Sequence, residues 1–238
     1  MSLDWQTGKV VRIVDETENT RRFFIQVEGA DKFDFKPGQF VTLDLPIHEK
    51  KNKRWRSYSI ASAPDGTNIF ELLIVLVDDG LGTNYLFKNI VVGDELILRG
   101  PAGVFVLKDP IEQDYVMICT GTGIAPFRSM SHHIFNHQLP CKNLYLIFGT
   151  RFKKDLLYFE EMNALQEKMP NFHYMPTLSR EHWEGRSGYV HPIYKELALQ
   201  NPHADFLLCG WKNMIDEARQ ELNLLGIDKK QIHFELYG

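Results

Sequence analysis

The hydrophobic rhythm of the chain changes once, near Lys108-Asp109-Pro110, and that change limits what it can fold into. Before it, short runs rich in β-branched and aromatic residues recur at 9–14, 22–27, 40–43, 57–61, 69–77 and 95–99. Lys36-Pro37-Gly38-Gln39, Asp65-Gly66 and Val92-Gly93-Asp94 punctuate them as turns. Strands at this spacing predict an antiparallel barrel. A single helix is expected there, beginning after Gly82 with Thr83 as its cap and Tyr85, Leu86 and Ile90 on its buried side. After the change, apolar runs at 115–119, 144–148, 172–178, 205–209 and 232–236 alternate with helical patterns at 127–137, 156–168, 192–199 and 214–225. That alternation predicts a parallel sheet with helices on both faces. The reading is two domains, an antiparallel β-barrel over 1–108 and an α/β parallel-sheet domain over 109–238.

Composition removes several function classes. The net charge is -4, so nucleic-acid binding is not expected. No apolar run approaches the roughly 20 residues that span a bilayer, and the first ten residues lack the pattern of a secretory leader. The three cysteines, Cys119, Cys141 and Cys209, cannot pair without leaving one over. A reducing, cytoplasmic setting is expected. Three are also fewer than the four that usually hold an iron–sulfur cluster. His132, His133 and His137 sit in a helical pattern without a nearby third ligand, so no metal site is expected.

Five short segments carry chemistry. Arg56-Ser57-Tyr58-Ser59 offers a guanidinium for bidentate contact with phosphate, an aromatic face and hydroxyl donors. Alternation puts Arg56 and Tyr58 on one face and Ser57 and Ser59 on the other, which also fits an ordinary half-buried strand. Gly80-Leu81-Gly82-Thr83 joins glycines to a helix start, where free N–H groups attract anions; a plain capped helix fits as well. Thr120-Gly121-Thr122-Gly123-Ile124-Ala125-Pro126 lies between a buried strand and a helix, as a nucleotide-phosphate loop requires. It departs from the GxGxxG pattern by placing Pro126 at the third glycine, and a structural turn remains open. Cys209-Gly210 falls at the carboxyl end of a strand, where open α/β sheets bind ligands, although a free cysteine is commonly a small buried hydrophobe. The ending Phe234-Glu235-Leu236-Tyr237-Gly238 puts Glu235 and Tyr237 on one face, with an aromatic near the tip.

Taken in order and at these separations, RSYS, DGLGTNYL, GTGIAPFRS and CG resemble the ferredoxin–NADP reductase family over nearly the whole chain. The resemblance implies an FAD-binding barrel, a nucleotide-binding α/β domain, and hydride transfer between a nicotinamide and the flavin. It implies that Arg56, Tyr58 and Ser59 bind the flavin diphosphate, flank the ring and hydrogen-bond near N5, with Ser57 in the same motif. Gly82 and Thr83 inherit a second diphosphate contact. Thr120, Gly121, Thr122 and Gly123 form the loop under the nicotinamide nucleotide, and Cys209 and Gly210 lie beside the nicotinamide. Glu235 joins Ser59 in relaying a proton at N5. Tyr237 resembles a tyrosine that covers the flavin, but here Gly238 follows it. On this resemblance the catalytic candidates are Ser59, Cys209, Glu235 and Tyr237.

The 2′-phosphate of NADP needs Arg or Lys and hydroxyl donors. Ser179 and Arg180 resemble the pair that serves this in NADP-using relatives, and Arg186 follows nearby. NADH-using relatives carry a similar stretch followed by Trp-x-Gly, as in Trp183-x-Gly185, so NADP(H) is favoured but NAD(H) stays open. The expected protein partner is a one-electron carrier, ferredoxin or flavodoxin. Lys50, Lys51, Lys53, Arg54 and Arg56 form either a solvated basic loop or a docking patch for it. Two alternatives are the NADH-dependent reductase component of a multicomponent oxygenase and a non-catalytic electron-transfer subunit.

Overall fold

The structure, a computed structural model, describes residues 4–237. The described chain divides into two units. The first ends at Val106 and takes in Arg128–His133, and the second holds the remainder.

The first unit is antiparallel, as the rhythm predicts. Its strands are β1 (Gln6–Thr17), β2 (Thr20–Val27), β3 (Phe40–Asp44), β4 (Trp55–Ser59), β5 (Ile69–Val75) and β6 (Glu95–Ala102). They lie in the order β4-β3-β6-β1-β2-β5. A bridge from Ile60 to Leu72 brings the two edges together, so the sheet curls into a barrel. Period-2 alternation sends Phe23, Ile25, Val41, Leu43, Phe70, Leu72 and Leu98 into a fully buried interior. The turn before β3 depends on Gly38, which has φ 98°, and an added Cβ would lie 1.9 Å from the Phe105 carbonyl oxygen.

The one helix of this stretch, α1 (Leu81–Asn89), starts earlier than expected. Its N-cap is Gly80 and no side chain caps it, so Thr83 lies inside the first turn. The reason is local. The Thr83 hydroxyl accepts from the Val77 N–H and donates to the Gly80 carbonyl, bracing the preceding loop.

The second unit contains β7 (Tyr115–Thr120), the two ends of α2 (Ala125–Asn136), β8 (Leu144–Thr150), α3 (Phe159–Lys168), β9 (Phe172–Leu178) and β10 (Arg186–Ser187), followed by α4 (His191–Gln200), β11 (Asp205–Trp211), α5 (Lys212–Leu224) and β12 (Ile232–Tyr237). All six strands are parallel, in the order β10-β9-β8-β7-β11-β12. Val116, Ile118, Phe206 and Leu208 pack with Ile193, Leu197, Ile215 and Ala218 of α4 and α5. The alternate residues Met117, Cys119, Leu207 and Cys209 are buried too, as a sheet covered on both faces requires. The first strand of this unit in the chain, β7, has β8 on one side and β11 on the other. That reversal makes the carboxyl ends of β7 and β11 a switch point, where such sheets bind ligands.

All four helices of this stretch differ from expectation in at least one bound, and two of the differences have a consequence. α3 begins at Phe159 rather than 156, because Tyr158 takes a left-handed φ of 53° that interrupts the helix. α2 ends at Asn136, so His137 lies beyond it and does not share a helical face with His133. Among the described residues, no helix is long and apolar enough to cross a membrane.

At the amino end of β11, buried Asp205 receives two hydrogen bonds from the Lys108 ammonium at 2.6 and 2.8 Å, with His233 Nε2 at 3.5 Å. Burial pushes its carboxyl up, but the hydrogen bonds of His233 and Lys108 and the Lys108 charge outweigh it and hold the carboxyl below the ordinary 3.8. The folded pKa is therefore depressed, so the stabilisation is present above the unfolded value and is lost as pH falls through the folded one. Asp205→Asn is expected to destabilise the protein by about 2 kcal/mol at neutral pH. Urea unfolding from pH 7 down to about 3 should show the gap to wild type closing in the acid range. A gap that stays constant with pH would contradict the assignment.

Candidate functional site

In the first unit, β4 pairs with β3 so that Ser59 faces Phe40, Tyr58 faces Val41 and Ser57 faces Thr42. Ser57 is exposed, and its Oγ lies 2.9 Å from Thr42 Oγ1. Ser59 is buried. Tyr58 packs against the barrel core, and burial pushes its phenol up to about 12 against the opposing charge of Arg56, so it remains neutral. Arg56 Nη1 donates to the carbonyls of Lys53 at 3.0 Å and Trp55 at 2.8 Å, which fixes the arm while occupying one of its three nitrogens.

The structure brings the second motif to this arginine. A Cβ on Gly82 would lie 2.9 Å from Arg56 Cγ and 3.4 Å from Cδ, so only a glycine lets the first turn of α1 rest on the arginine stem. A helix start carries unpaired N–H groups and positive partial charge. Placing it beside a guanidinium is unfavourable unless an anion sits between them. Asn84 holds the approach to this turn by donating to the carbonyls of Val77, Asp78 and Gly80.

In the second unit, the third and fourth motifs meet through missing side chains. β7 ends at Thr120 and gives way to a tight turn, Gly121–Ile124, whose first residue has φ 54°. A Cβ on Gly123 would lie 2.4 Å from the Cys209 carbonyl oxygen. One on Gly210, which has φ 133°, would lie 2.6 Å from Thr120 Oγ1 and 2.9 Å from its carbonyl oxygen. Gly149 at the end of β8 is similarly tight, 2.7 Å from Val190 Cγ1. Thr122 is partly exposed in the turn. Pro126 sits in the first turn of α2, where an N–H has no intrahelical acceptor, so its presence costs the helix nothing.

Cys209 is fully buried and lies opposite Cys119 on the neighbouring strand. Burial pushes the Cys119 thiol well up, with Cys209 adding to the effect. The Cys209 side chain therefore faces the interior and its carbonyl faces the glycine turn. On β12, Glu235 pairs with Cys209 and Leu236 with Gly210. The Tyr237 backbone pairs with Trp211, but the placement of its ring falls outside the described residues.

Of the candidate phosphate cations, Arg151 and Arg180 lie past the carboxyl ends of β8 and β9, and Arg186 begins the two-residue strand β10. Ser179 donates to the Thr150 carbonyl through its N–H at 2.9 Å and its Oγ at 3.3 Å. The Arg180 N–H donates to the Arg151 carbonyl at 3.1 Å, so the two loops run side by side. Arg151, Arg180 and Arg186 are all exposed. Glu184 pairs with Lys153 at 2.5 Å, and Glu181 accepts from the Lys153 N–H at 2.7 Å. Gly185 lets the Trp183 ring close on it, with a would-be Cβ 2.3 Å from the ring, and Trp183 Nε1 donates to the Arg186 carbonyl at 2.6 Å. Sequence reasoning missed two residues. Arg151 belongs with the cations, and its signal was its position just past the Gly149-Thr150 strand end. Trp211 is 64% exposed at the end of β11, and its signal was a large aromatic directly after Cys209-Gly210.

The comparisons with known proteins agree with this geometry. Residues 7–107 match the model of the oxidoreductase FAD-binding domain, and residues 117–220 match that of the oxidoreductase NAD-binding domain. Ferredoxin--NADP reductase B of Sorangium cellulosum is 36% identical over 224 residues, covering 90% of both chains. The chain belongs to the ferredoxin–NADP reductase family. The anthranilate 1,2-dioxygenase electron transfer component of Acinetobacter baylyi is 32% identical over 88% of this chain. The chain spans only 60% of that relative's length. A crystal structure of a ferredoxin NADP+ reductase from Neisseria gonorrhoeae with bound FAD and NADP superposes with a TM-score of 0.81 at 28% identity, covering 98% of each chain.

The protein is thus an NAD(P)H-dependent flavin oxidoreductase with FAD as its cofactor. The residues present fit these groups. Arg56 beside the first turn of α1 brings together the positive charge and helix-start N–H groups that suit a diphosphate, and Gly121 and Gly123 bring no side chains to the turn at Gly121–Ile124. Gly123→Ala is expected to disturb that turn severely, because the Cβ meets backbone of β11 rather than a flexible side chain. A loss of about 2 kcal/mol in stability together with weakened nucleotide binding should follow in thermal unfolding and titration. Gly82→Ala meets only the flexible stem of Arg56 and should mainly weaken FAD retention.

Proposed function

We propose that this reductase transfers hydride between NADPH and FAD, and single electrons between FAD and a carrier of the ferredoxin or flavodoxin type. The reading places FAD binding in residues 1–108, nucleotide binding in 109–238, and the protein in the cytoplasm. The observation that supports it is close glycine packing at two of the expected binding segments, Gly82 on Arg56 and Gly123 on the Cys209 carbonyl, each inside the matching oxidoreductase domain model.

Bound FAD supplies the conversion between two-electron and one-electron chemistry. The residues of this chain bind, orient and relay protons. Arg56, Gly82 and Thr83 hold the flavin diphosphate, with Ser57 keeping β4 in register through Thr42. Tyr58 flanks the ring. Ser59 and Glu235 hold and move the proton at N5. Thr120, Gly121, Thr122 and Gly123 seat the nicotinamide nucleotide, and Cys209 and Gly210 orient its nicotinamide end, with the buried thiol setting the shape of the strand end. Placing donor and acceptor atoms in reach is the main task of such a site.

Ser179, Arg180 and Arg186, joined by Arg151, form the site for the 2′-phosphate. Lys153 neutralises Glu184 within the same cluster, which removes a charge that would repel that phosphate. This favours NADPH over NADH. The carrier meets the loop of Lys50, Lys51 and Lys53, all exposed, whereas Arg54 is tied to Asp44 at 2.7 Å. Service to an oxygenase is a second reading, supported by the Acinetobacter relative.

Anaerobic NADPH is expected to bleach the bound flavin, with a higher kcat/KM than NADH gives. A flavoprotein inert to both nucleotides would instead be a non-catalytic subunit, and a preference for NADH would favour the oxygenase reading. Ser59→Ala should slow single-turnover flavin reduction by about tenfold or more, the scale of positioned proton transfer, while nucleotide affinity stays within about twofold. Unchanged reduction would remove Ser59 from the site. Electron transfer to an acidic carrier should slow as salt is raised, and indifference to ionic strength would remove the basic loop from the docking surface.

A further inference from the structure

Trp211 is the most exposed tryptophan among the described residues, at 64%, in a strand whose other six residues are buried. It stands at the carboxyl end of β11, on the switch point of the sheet, and caps the start of α5 without a side-chain hydrogen bond of its own. Its backbone is fixed. The Trp211 N–H donates to Thr120 Oγ1 at 3.4 Å, and its neighbour Gly210 is pressed against Thr120. Its indole is placed as well: Nε1 lies 3.8 Å from where a Cβ on Gly121 would be. Gly121 has φ 54° and no side chain, so the polar edge of the indole borders bare backbone at the mouth of the turn.

An indole has one donor and no acceptor. An indole beside a glycine turn at the sheet's switch point offers a ligand both a flat wall and a hydrogen-bond donor. We propose that Trp211 is a nucleotide-contacting residue, with Nε1–H donating to a diphosphate oxygen of the nicotinamide nucleotide seated on the Gly121–Ile124 turn and its ring walling one side of that seat. This rests on the function proposed above and adds to it a binding residue that acts on affinity rather than on the chemical step.

The test uses the FAD-loaded protein and its Trp211→Phe and Trp211→Ala variants. Trp211→Phe keeps the ring and removes the donor, and should weaken NADP+ binding about tenfold, the scale of a neutral donor on a charged oxygen. Trp211→Ala should weaken it further. KM for NADPH should rise in both while flavin reduction at saturating NADPH stays within twofold of wild type, a split that a folding defect would not produce. The part of the tryptophan emission quenched by NADP+ should be smaller in Trp211→Phe, and adenosine diphosphate should lose affinity in the variants whereas nicotinamide mononucleotide loses less. If both variants bind NADP+ within twofold of wild type, the inference fails while wild-type bleaching by NADPH leaves the proposed function standing. If the slowed step is flavin reduction at saturation with affinity unchanged, Trp211 acts on the chemical step and the inference is likewise overturned. If the wild type binds neither nucleotide, the proposed function fails first.

Discussion

The second unit depends on backbone packed against backbone where side chains would not fit. At the carboxyl ends of β7 and β11, Gly123 and Gly210 let the two strand ends approach until a single methyl group would overlap a carbonyl oxygen. This closeness holds the turn at Gly121–Ile124 against the end of β11, because Gly123 brings no Cβ to the contact. The parallel sheet supplies the reason for the location. Only at the switch point do neighbouring connections run to opposite sides, opening a crevice beyond the strand ends.

The first unit reaches a similar result by different means. Its barrel closes through the Ile60–Leu72 bridge and holds a buried hydrophobic core. The working surface is β4, where alternation places Arg56 and Tyr58 together and tertiary packing then lays the first turn of α1 against Arg56. Two positive features are held side by side there without any residue that is unusual in itself. The loop feeding α1 is kept in shape by Thr83 and Asn84, whose polar atoms bond to main-chain groups of the preceding turn. The residues flanking this contact thus serve its geometry as much as its chemistry.

Much of this was legible in the chain. The switch from period-2 runs to alternating strands and helices identified a barrel followed by a parallel sheet, because hydrophobic periodicity is imposed by which face is buried. The glycine turn after β7 was readable because it lies between an apolar run and an amphipathic stretch. Element ends were less readable. The start of α1 was misplaced because Thr83 has the chemistry of a cap but bonds backward into the loop, and the start of α3 was misplaced because Tyr158 adopts a left-handed backbone that its residue type does not announce. Arg151, just past the end of β8, and Trp211, the last residue of β11, escaped notice because only three-dimensional neighbours distinguish a residue at a strand end.

The sequence by itself determined the two-part architecture, the order of the motifs and the kinds of group available for phosphate and flavin. These follow from pattern and residue type, which are local properties. Tertiary structure alone decided that Gly82 rests on Arg56, that Gly123 touches the Cys209 carbonyl, that the Cys209 thiol is buried while Trp211 is exposed, and that Arg151 runs beside Arg180. The physical reason is that each of these is a contact between segments far apart in the chain. Their closeness is set by sheet register and by how near two backbones can come, and neither is written in any one segment.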